Sequence, residues 1–311
     1  MCYSAQVWQD YRQYMKSLGA LMDIKAFYNL FWRRNEFGKI KVPRGMTQAF
    51  SDPQNEDERQ ILDLIKAFEA QETSKLEQEL FKQRTRLADA QRKLAQKLTK
   101  AATDSQRIAT DKVDWIVAKL SDLRRTQARA SDSRIYPGHY APVMVWEGGR
   151  RVIRPMRYQC RPAGKPASYD TQYPGTYNAR RDNLRGFWKN QFGHTHALMV
   201  VNAFYEHVAQ PDGDGTKSVI LEFNPSPSQD MLVACLWSRW SGAGEPDLLS
   251  FAAITDEPPP EIAAAGHDRC IIPIKPQNID AWLRPDPTDL DAQEAILDDR
   301  ERPYYEHRLA A

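Results

Sequence analysis

Apolar positions follow different patterns in successive parts of the chain. In residues 3–50, Val7, Tyr11 and Met15 recur at four-residue steps, which predicts a short helix among aromatic and basic residues. Residues 55–129 contain almost no glycine, proline or aromatic residues, and their leucines recur at seven-residue steps between charged side chains. This spacing predicts a long helix with a narrow apolar seam, followed by a second amphipathic helix. We therefore expect a helical hairpin that projects from the main body.

From Ile135 onward, short apolar runs alternate with turn-forming residues. "YAPVMVW" and "RVIRPMRYQC" flank "EGG", which predicts a β-hairpin, and "THALMVVNAFYEHV", "SVILEF", "MLVACLW" and "LLSFAAITD" predict further strands. Strands and helices do not alternate regularly, which argues against a doubly wound sheet. The prediction is an α+β fold: a mixed or antiparallel, barrel-like sheet with flanking helices and an inserted long helical hairpin.

These patterns divide the chain into three parts. Residues 1–20 are predicted to form the N-terminal part of the main domain, residues 21–132 a helical, coiled-coil-like insertion, and residues 133–311 the main domain. No motif within the insertion indicates a chemical function. We expect it to act as a structural arm that binds a protein partner, or a second copy of the chain, through residues 55–129.

The composition limits the class of protein. Apolar residues make up 41% and charged residues 27%, which is typical of a globular protein with a buried core. The longest apolar runs are too short to cross a bilayer, and the chain does not open on a secretory signal. The four cysteines are scattered and form no C-x-x-C pair. We therefore expect a cytoplasmic protein with no membrane contact, disulfide framework, metal or cofactor.

The net charge is only +2, but the basic residues are unevenly distributed. Lysines and arginines crowd the segment from Arg150 to Lys189, where aromatic residues are interleaved and the only acidic residues are Asp170 and Asp182. Such a basic segment is typical of a groove that binds a phosphate backbone and stacks bases. The alternative is a solvated basic face that covers aromatic residues of the core.

Four short stretches place reactive side chains beside apolar runs. Cys2 follows the initiator methionine, and removal of Met1 would leave a residue that carries both a thiol and a free α-amine. Asn178 follows a turn, Glu206 ends an apolar strand and His267 precedes another. Burial of Glu206 would raise its pKa into the range useful for acid–base catalysis. Each residue also has an ordinary explanation. Cys2 could be a cysteine without a role, and Asn178 could cap a turn. Glu206 could pair with an arginine, and His267 could be a core histidine whose hydrogen bonds are satisfied.

Together these stretches resemble a known family. The order and separation of "MC", "NAR", "FYE" and "HDR", with "FAAIT" shortly before "HDR", are similar to those of the SOS response-associated peptidase family, whose members process abasic sites in DNA. The resemblance covers Met1–Ser4 and roughly Ile135–Pro285, whereas residues 55–129 lie outside it. It implies a sensor of abasic sites in single-stranded DNA that becomes covalently crosslinked to the DNA.

The resemblance also implies roles for individual residues. The α-amine of Cys2 would attack the C1′ aldehyde of the ring-opened sugar, and its thiol would then close a thiazolidine. Glu206 would be the acid–base group, His267 would assist ring opening and stabilise the Schiff base, and Asn178 would hold the N-terminus and the sugar. Removal of Met1 would be the associated peptidase activity. The DNA-binding residues implied in the same way are Arg180, Arg185, Thr255, Pro137 and Tyr158.

The chain departs from the family at two places, and two other functions fit parts of it. It begins "MCYS" where members commonly read "MCGR", and Tyr158 stands where a tryptophan is usual. In an N-terminal-nucleophile amidohydrolase, the thiol of Cys2 would attack an amide with the α-amine as base, but this reaction needs no basic aromatic segment. A non-catalytic coiled-coil scaffold would use the helical hairpin and leave the four motifs without a role.

Overall fold

The structure is a computed structural model that describes residues 3–212, 215–242 and 244–310. Its strands are β1 (Ser4–Val7), β2 (Leu21–Met22), β3 (Arg134–Ile135), β4 (Tyr140–Glu147), β5 (Arg150–Tyr158), β6 (Asn178–Arg180), β7 (His196–Asp212), β8 (Gly215–Ser226), β9 (Met231–Gly242), β10 (Glu245–Asp256), β11 (Cys270–Ile271) and β12 (Tyr304–Leu309). Its α-helices are α1 (Tyr11–Leu18), α2 (Ile24–Phe37), α3 (Arg44–Gln48), α4 (Glu56–Gln96), α5 (Lys100–Arg124), α6 (Tyr169–Gln172), α7 (Pro260–Ala264), α8 (Ile279–Leu283) and α9 (Leu290–Asp298). The predicted α+β class is confirmed.

The chain forms two compact units. One comprises the described residues of Met1–Leu30, Lys39–Asp52 and Arg129–Ala311, and the other comprises Phe31–Gly38 and Pro53–Ala128. The predicted insertion spans residues 21–132, whereas the smaller unit spans residues 31–38 and 53–128. Residues 21–30, 39–52 and 129–132 belong to the larger unit. None of the helices in the described part of the chain is both long and apolar enough to cross a bilayer.

The sheet of the larger unit closes on itself. Strand β4 pairs with β5, β5 with β10, β10 with β9, β9 with β7, and β7 again with β4. Because the β5–β10 pairing is parallel and the others are antiparallel, the sheet is mixed. The second half of β7 leaves this barrel and pairs with β8, which in turn carries β12. The predicted barrel-like sheet is therefore present.

Strand alternation fills the interior of the barrel with apolar side chains. Successive residues of a strand point to opposite faces, so every second position faces the core. Val143, Met199, Val233 and Phe251 come from four of the strands and are all fully or almost fully buried in one cluster. This packed interior fixes the register of β7 and β10, the two strands that carry much of the candidate site.

The smaller unit contains the predicted helical hairpin. Asn55 caps α4 by accepting the backbone N–H of Glu58, and Thr99 caps α5 in the same way at Ala102. The two helices pack along each other through small residues such as Ala90 of α4 and Ala109 of α5, which are buried. Other large side chains of the hairpin, including Phe81 and Trp115, remain exposed. Its role in binding a partner or a second copy stays a prediction.

The first helix begins later than its spacing predicted. Asp10 accepts the backbone N–H of Arg12 and so caps α1, which starts at Tyr11. Val7 belongs to β1 instead, and Met15 is exposed. The buried side of α1 is formed by Tyr11 and Tyr14. The prediction that Val7, Tyr11 and Met15 share one helix face was wrong, because the capping residue limits where the helix can begin.

Candidate functional site

Glu206 is a buried acid in the second half of β7. It is 1% exposed and lies opposite Leu221 of β8. Its neighbours two positions away on the same face are Phe204 and Val208, which belong to the core cluster. Burial raises the pKa of Glu206 well above its usual range, and a hydrogen bond from the backbone N–H of Tyr3 acts in the opposite direction. The carboxyl group is therefore suited to hold a proton at neutral pH.

His267 reaches Glu206 from the loop after α7. The distance between His267 Nε2 and Glu206 Oε2 is 3.2 Å. Gly266 has a φ of +93°, and a Cβ at this position would lie 2.9 Å from the Cγ1 of Val208. Only glycine therefore lets the loop pass this close to β7 without strain. The glycine before His267 thus has a structural reason, because it brings the imidazole to the acid.

His267 Nδ1 faces the backbone of Arg269, and its Nε2 faces Glu206. Nδ1 lies 2.9 Å from the carbonyl oxygen of Arg269, an acceptor, and 3.3 Å from its backbone nitrogen, a donor. Burial lowers the pKa of His267, which favours the neutral ring. The pair therefore consists of a protonated carboxyl group next to a neutral imidazole.

Asn178 is held near Thr255 by the sheet. In the parallel pairing of β6 with β10, Asn178 lies opposite Ala253, and the next residue but one, Arg180, lies opposite Thr255. Asn178 and Thr255 therefore face the same side of the sheet. The amide nitrogen and oxygen of Asn178 and the hydroxyl of Thr255 are buried and have no hydrogen-bond partner among the described residues. Leaving such groups unpaired is costly, which is typical of a site that binds a polar ligand.

The two arginines predicted to bind DNA are exposed and paired with carboxylates. Arg180 lies 2.6 Å from the carboxylate of Asp182. Arg185 forms an ion pair with Asp291 and lies 3.6 Å from Glu294. Exposed ion pairs of this kind contribute little free energy, so a phosphate can replace the carboxylate at low cost. Their role in DNA binding remains a prediction.

Most other arginines of the basic segment are less exposed, and they also form ion pairs with carboxylates. Arg157 and Arg161 both bind Asp170, at 2.7 and 2.5 Å. Arg181 binds carboxylates from distant parts of the chain, at Asp256 and Asp298 among others. The concentration of basic residues in the sequence is therefore largely neutralised in the fold. Asp170 lies within the basic segment, whereas Asp256 and Asp298 come from distant parts of the chain, which the local sequence could not show.

The remaining predicted DNA-binding residues differ in exposure. Pro137 is half-buried in the turn between β3 and β4. Tyr158 is fully buried, and its ring packs against Tyr177 and Phe251 at centroid distances of 5.7 and 5.2 Å. Its ring is thus part of the core and is closed off from a ligand. Thr255 is also fully buried, next to Asn178 as described above.

Cys2, the predicted nucleophile, lies outside the described residues, as does Met1. Ser4 pairs with Tyr205 at the start of β1, and this antiparallel register places Tyr3, the covalent neighbour of Cys2, across from Glu206. The first described residue therefore lies beside the acid. No group of three or more His, Cys, Asp or Glu residues able to hold a metal ion occurs within the described ranges.

Several residues near Tyr3 were not singled out from the sequence. The rings of Tyr136, Tyr177 and His207 all contact the ring of Tyr3, and the guanidinium of Arg134 lies over the ring of Tyr136. These residues come from distant positions in the chain and share no local motif. Only the pairing of β1 with β3 and β7 brings them together.

Comparisons with known proteins identify a family. The family model described as SOS response associated peptidase (SRAP) matches residues 83–309, which is well over half of the chain. The match begins within α4 and includes Asn178, Glu206 and His267, but not Cys2. No curated protein matches the chain significantly.

Solved structures also match the chain. A protein from Bordetella bronchiseptica is 18% identical, with 58% of this chain and 87% of that chain covered and a TM-score of 0.47. A protein from Bacteroides thetaiotaomicron is 10% identical, with 58% and 78% covered and a TM-score of 0.46. A phage-related protein from Bordetella bronchiseptica is 17% identical, with 60% and 85% covered and a TM-score of 0.44.

Proposed function

This chain belongs to the SOS response associated peptidase family, and we propose that it captures abasic sites in single-stranded DNA through Cys2. Family membership supports an SOS-associated, peptidase-like role. The proposal is more specific: removal of Met1 leaves Cys2 as the N-terminal residue, which then forms a thiazolidine with the damaged sugar. No cofactor takes part in this reaction.

The observation that carries the proposal is the contact between Glu206 and His267, which lies in space beside the first described residues of the chain. A carboxyl group that is 1% exposed and lies 3.2 Å from an imidazole is suited to give and take a proton near neutral pH. The register of β1 on β7 places Tyr3, the residue bonded to Cys2, across from Glu206. This arrangement supports an acid–base group that acts on a reaction of the N-terminus.

Each step of the proposed reaction uses this acid. An abasic sugar exists mainly as a closed hemiacetal. Glu206 protonates its ring oxygen, the bond from C1′ to this oxygen breaks, and the C1′ hydroxyl returns its proton to the carboxylate as the aldehyde forms. The α-amine of Cys2 attacks C1′ to form a C–N bond, and the resulting hydroxyl leaves as water after protonation. The thiol then adds to the imine carbon, its proton passes to nitrogen, and the five-membered ring closes. One water is released for each crosslink.

His267 and Asn178 assist this acid. The neutral imidazole accepts the proton of Glu206 through Nε2, so it can hold that proton between the steps. The buried amide of Asn178 offers both a donor and an acceptor to the hydroxyl groups of the opened sugar. Thr255 adds a hydroxyl on the same face of the sheet. Arg180 and Arg185 bind flanking phosphates in exchange for their carboxylate partners.

The test incubates the protein with a single-stranded oligonucleotide that carries one abasic site. A band that resists denaturation is expected for the wild type, none for Cys2→Ala, and a rate about a hundredfold lower for Glu206→Gln. Glu306→Gln is the matched control, because Glu306 is an exposed glutamate on β12, and it should react at the wild-type rate. An oligonucleotide with tetrahydrofuran in place of the sugar has no aldehyde and should give no band.

Two results would contradict the proposal. The first is the absence of a crosslink from protein whose N-terminal Cys2 has been verified by mass. The second is a crosslink that survives Cys2→Ala, since another nucleophile would then be responsible. If the same preparation hydrolyses amides but forms no crosslink, the result would favour the alternative hypothesis of an N-terminal-nucleophile amidohydrolase.

A further inference from the structure

Aromatic rings meet around Tyr3, where the described chain begins. The centroid of the Tyr3 ring lies 5.0 Å from that of His207, 5.8 Å from Tyr136 and 6.3 Å from Tyr177. All three contacts are edge to face, a geometry that aromatic rings prefer and that holds the Tyr3 ring in one orientation. Tyr3 is nevertheless 37% exposed. A fixed, flat ring is therefore open to solvent next to Glu206.

Arg134 adds positive charge to this cluster. Its guanidinium carbon lies 3.6 Å from the ring centroid of Tyr205 and 5.0 Å from that of Tyr136, and its Nε donates to the hydroxyl of Ser4 at 3.0 Å. The two arginines predicted to bind DNA have carboxylate partners. Arg134 has none within the described residues. A guanidinium whose charge is not neutralised attracts phosphate, and its contacts with the rings hold it in place.

We propose that Tyr3 is a stacking platform for the nucleobase next to the damaged sugar, and that Arg134 attracts the neighbouring phosphate. This inference rests on the proposed function, since it assigns the DNA to the same site. An abasic sugar has no base with which the protein can hold it. The base of the adjacent nucleotide is therefore the stacking surface nearest to the reacting carbon.

The position of Tyr3 suits this role. The register of β1 on β7 places it across from Glu206, while its ring is held by residues of other segments. A base on this ring would lie one residue from Cys2, and the sugar beside that base would face the acid. The platform would thus position the sugar, whereas Glu206 and His267 would carry the proton transfers.

The test measures equilibrium binding to single-stranded DNA that contains tetrahydrofuran, because this probe cannot be crosslinked. The wild type should bind more tightly when a purine flanks the tetrahydrofuran than when a pyrimidine does, since purines present a larger stacking surface. Tyr3→Leu should raise the Kd about tenfold and remove this preference, whereas Tyr3→Trp should retain both. Tyr304→Leu is the matched control at another exposed tyrosine, 59% exposed on β12, and should leave the Kd unchanged.

Arg134 is tested with the same probe. Arg134→Gln should weaken binding regardless of the flanking base, and should reduce the slope of log K against log salt concentration by about 0.7 for one phosphate contact. Thermal unfolding shows whether each variant is folded. A salt slope equal to that of the wild type would overturn the assignment of a phosphate to Arg134.

Binding by Tyr3→Leu with the wild-type Kd and base preference would overturn the platform. Failure of the platform is distinguishable from failure of the proposed function, because the tetrahydrofuran probe cannot be crosslinked. Binding of this probe tests the platform alone, and crosslinking of abasic DNA by the wild type tests the proposed function alone. A wild type that shows the base preference but never crosslinks would leave the platform standing and refute the crosslinking proposal.

Discussion

His196 makes the stability of the fold depend on pH. It lies on β7 and is 2% exposed, with its ring centroid 4.0 Å from that of Trp282. Nδ1 lies 3.0 Å from the carbonyl oxygen of Trp282, and Nε2 accepts the backbone N–H of Gly193 at 2.9 Å. Both nitrogens are therefore used by the neutral ring. A proton added to Nε2 would turn this acceptor into a donor, which would then face the backbone N–H of Gly193.

Burial lowers the pKa of His196 from 6.5 to about 3. Above pH 6.5 neither state is protonated and the full stability is present. As the pH falls, the unfolded chain takes up a proton that the folded chain does not, so stability is lost until the pH reaches the folded pKa. Between pH 6.5 and pH 4, a span of about 2.5 pH units, only the unfolded chain takes up this proton. The unfolding free energy therefore falls by about 3 kcal/mol because of this one group.

The assay is urea denaturation at pH 7 and pH 4. Asparagine can retain the donor to Trp282, so His196→Asn removes the titrating group with a small change of shape. The fall in unfolding free energy between pH 7 and pH 4 should be about 3 kcal/mol smaller in this variant than in the wild type. His307→Asn, at an exposed histidine on β12, is the control and should keep the wild-type fall. An equal fall in all three proteins would refute the reasoning.

Two further predictions concern a glycine and a buried amide. Gly193 has a φ of +81°, and a Cβ there would clash with the side chain of Leu290, whereas Gly164 has a φ of +76° with open space around it. Gly193→Ala should therefore lower the unfolding free energy by about 2 kcal/mol more than Gly164→Ala, and equal losses in urea denaturation would contradict this. Asn178→Ala should slow crosslinking about tenfold while leaving the unfolding free energy unchanged or about 1 kcal/mol higher, because it removes unpaired buried groups. A clear loss of stability would instead show that the amide has a structural role.

Features with a regular period along the chain could be predicted from the sequence. The seven-residue leucine spacing predicted the hairpin of α4 and α5, and the short apolar runs predicted a mixed, barrel-like sheet. The limits of the elements depend on caps and tertiary contacts. Asp10 moves the start of α1, and packing assigns residues 39–52 to the larger unit.

Part of the candidate site could also be predicted from the sequence. Glu206 and His267 come from segments far apart in the chain, and their contact confirms that two of the short motifs meet in space. The neutralisation of the basic residues was harder to predict, because some of their partners are distant in the chain. Arg181, for example, pairs with Asp256 and Asp298. Tyr158 is likewise in the core, where only the sheet pairing places it.

Mass spectrometry of the crosslinked product tests the central claim most directly. After digestion of the protein and DNA, the sugar remnant should be attached to a peptide that begins with Cys2, with Met1 absent and the mass of one water lost. The linkage should form without borohydride, because a thiazolidine contains no imine that has to be reduced to make the linkage stable. A remnant on a lysine, trapped only by borohydride, or attachment to a chain that retains Met1, would contradict the account.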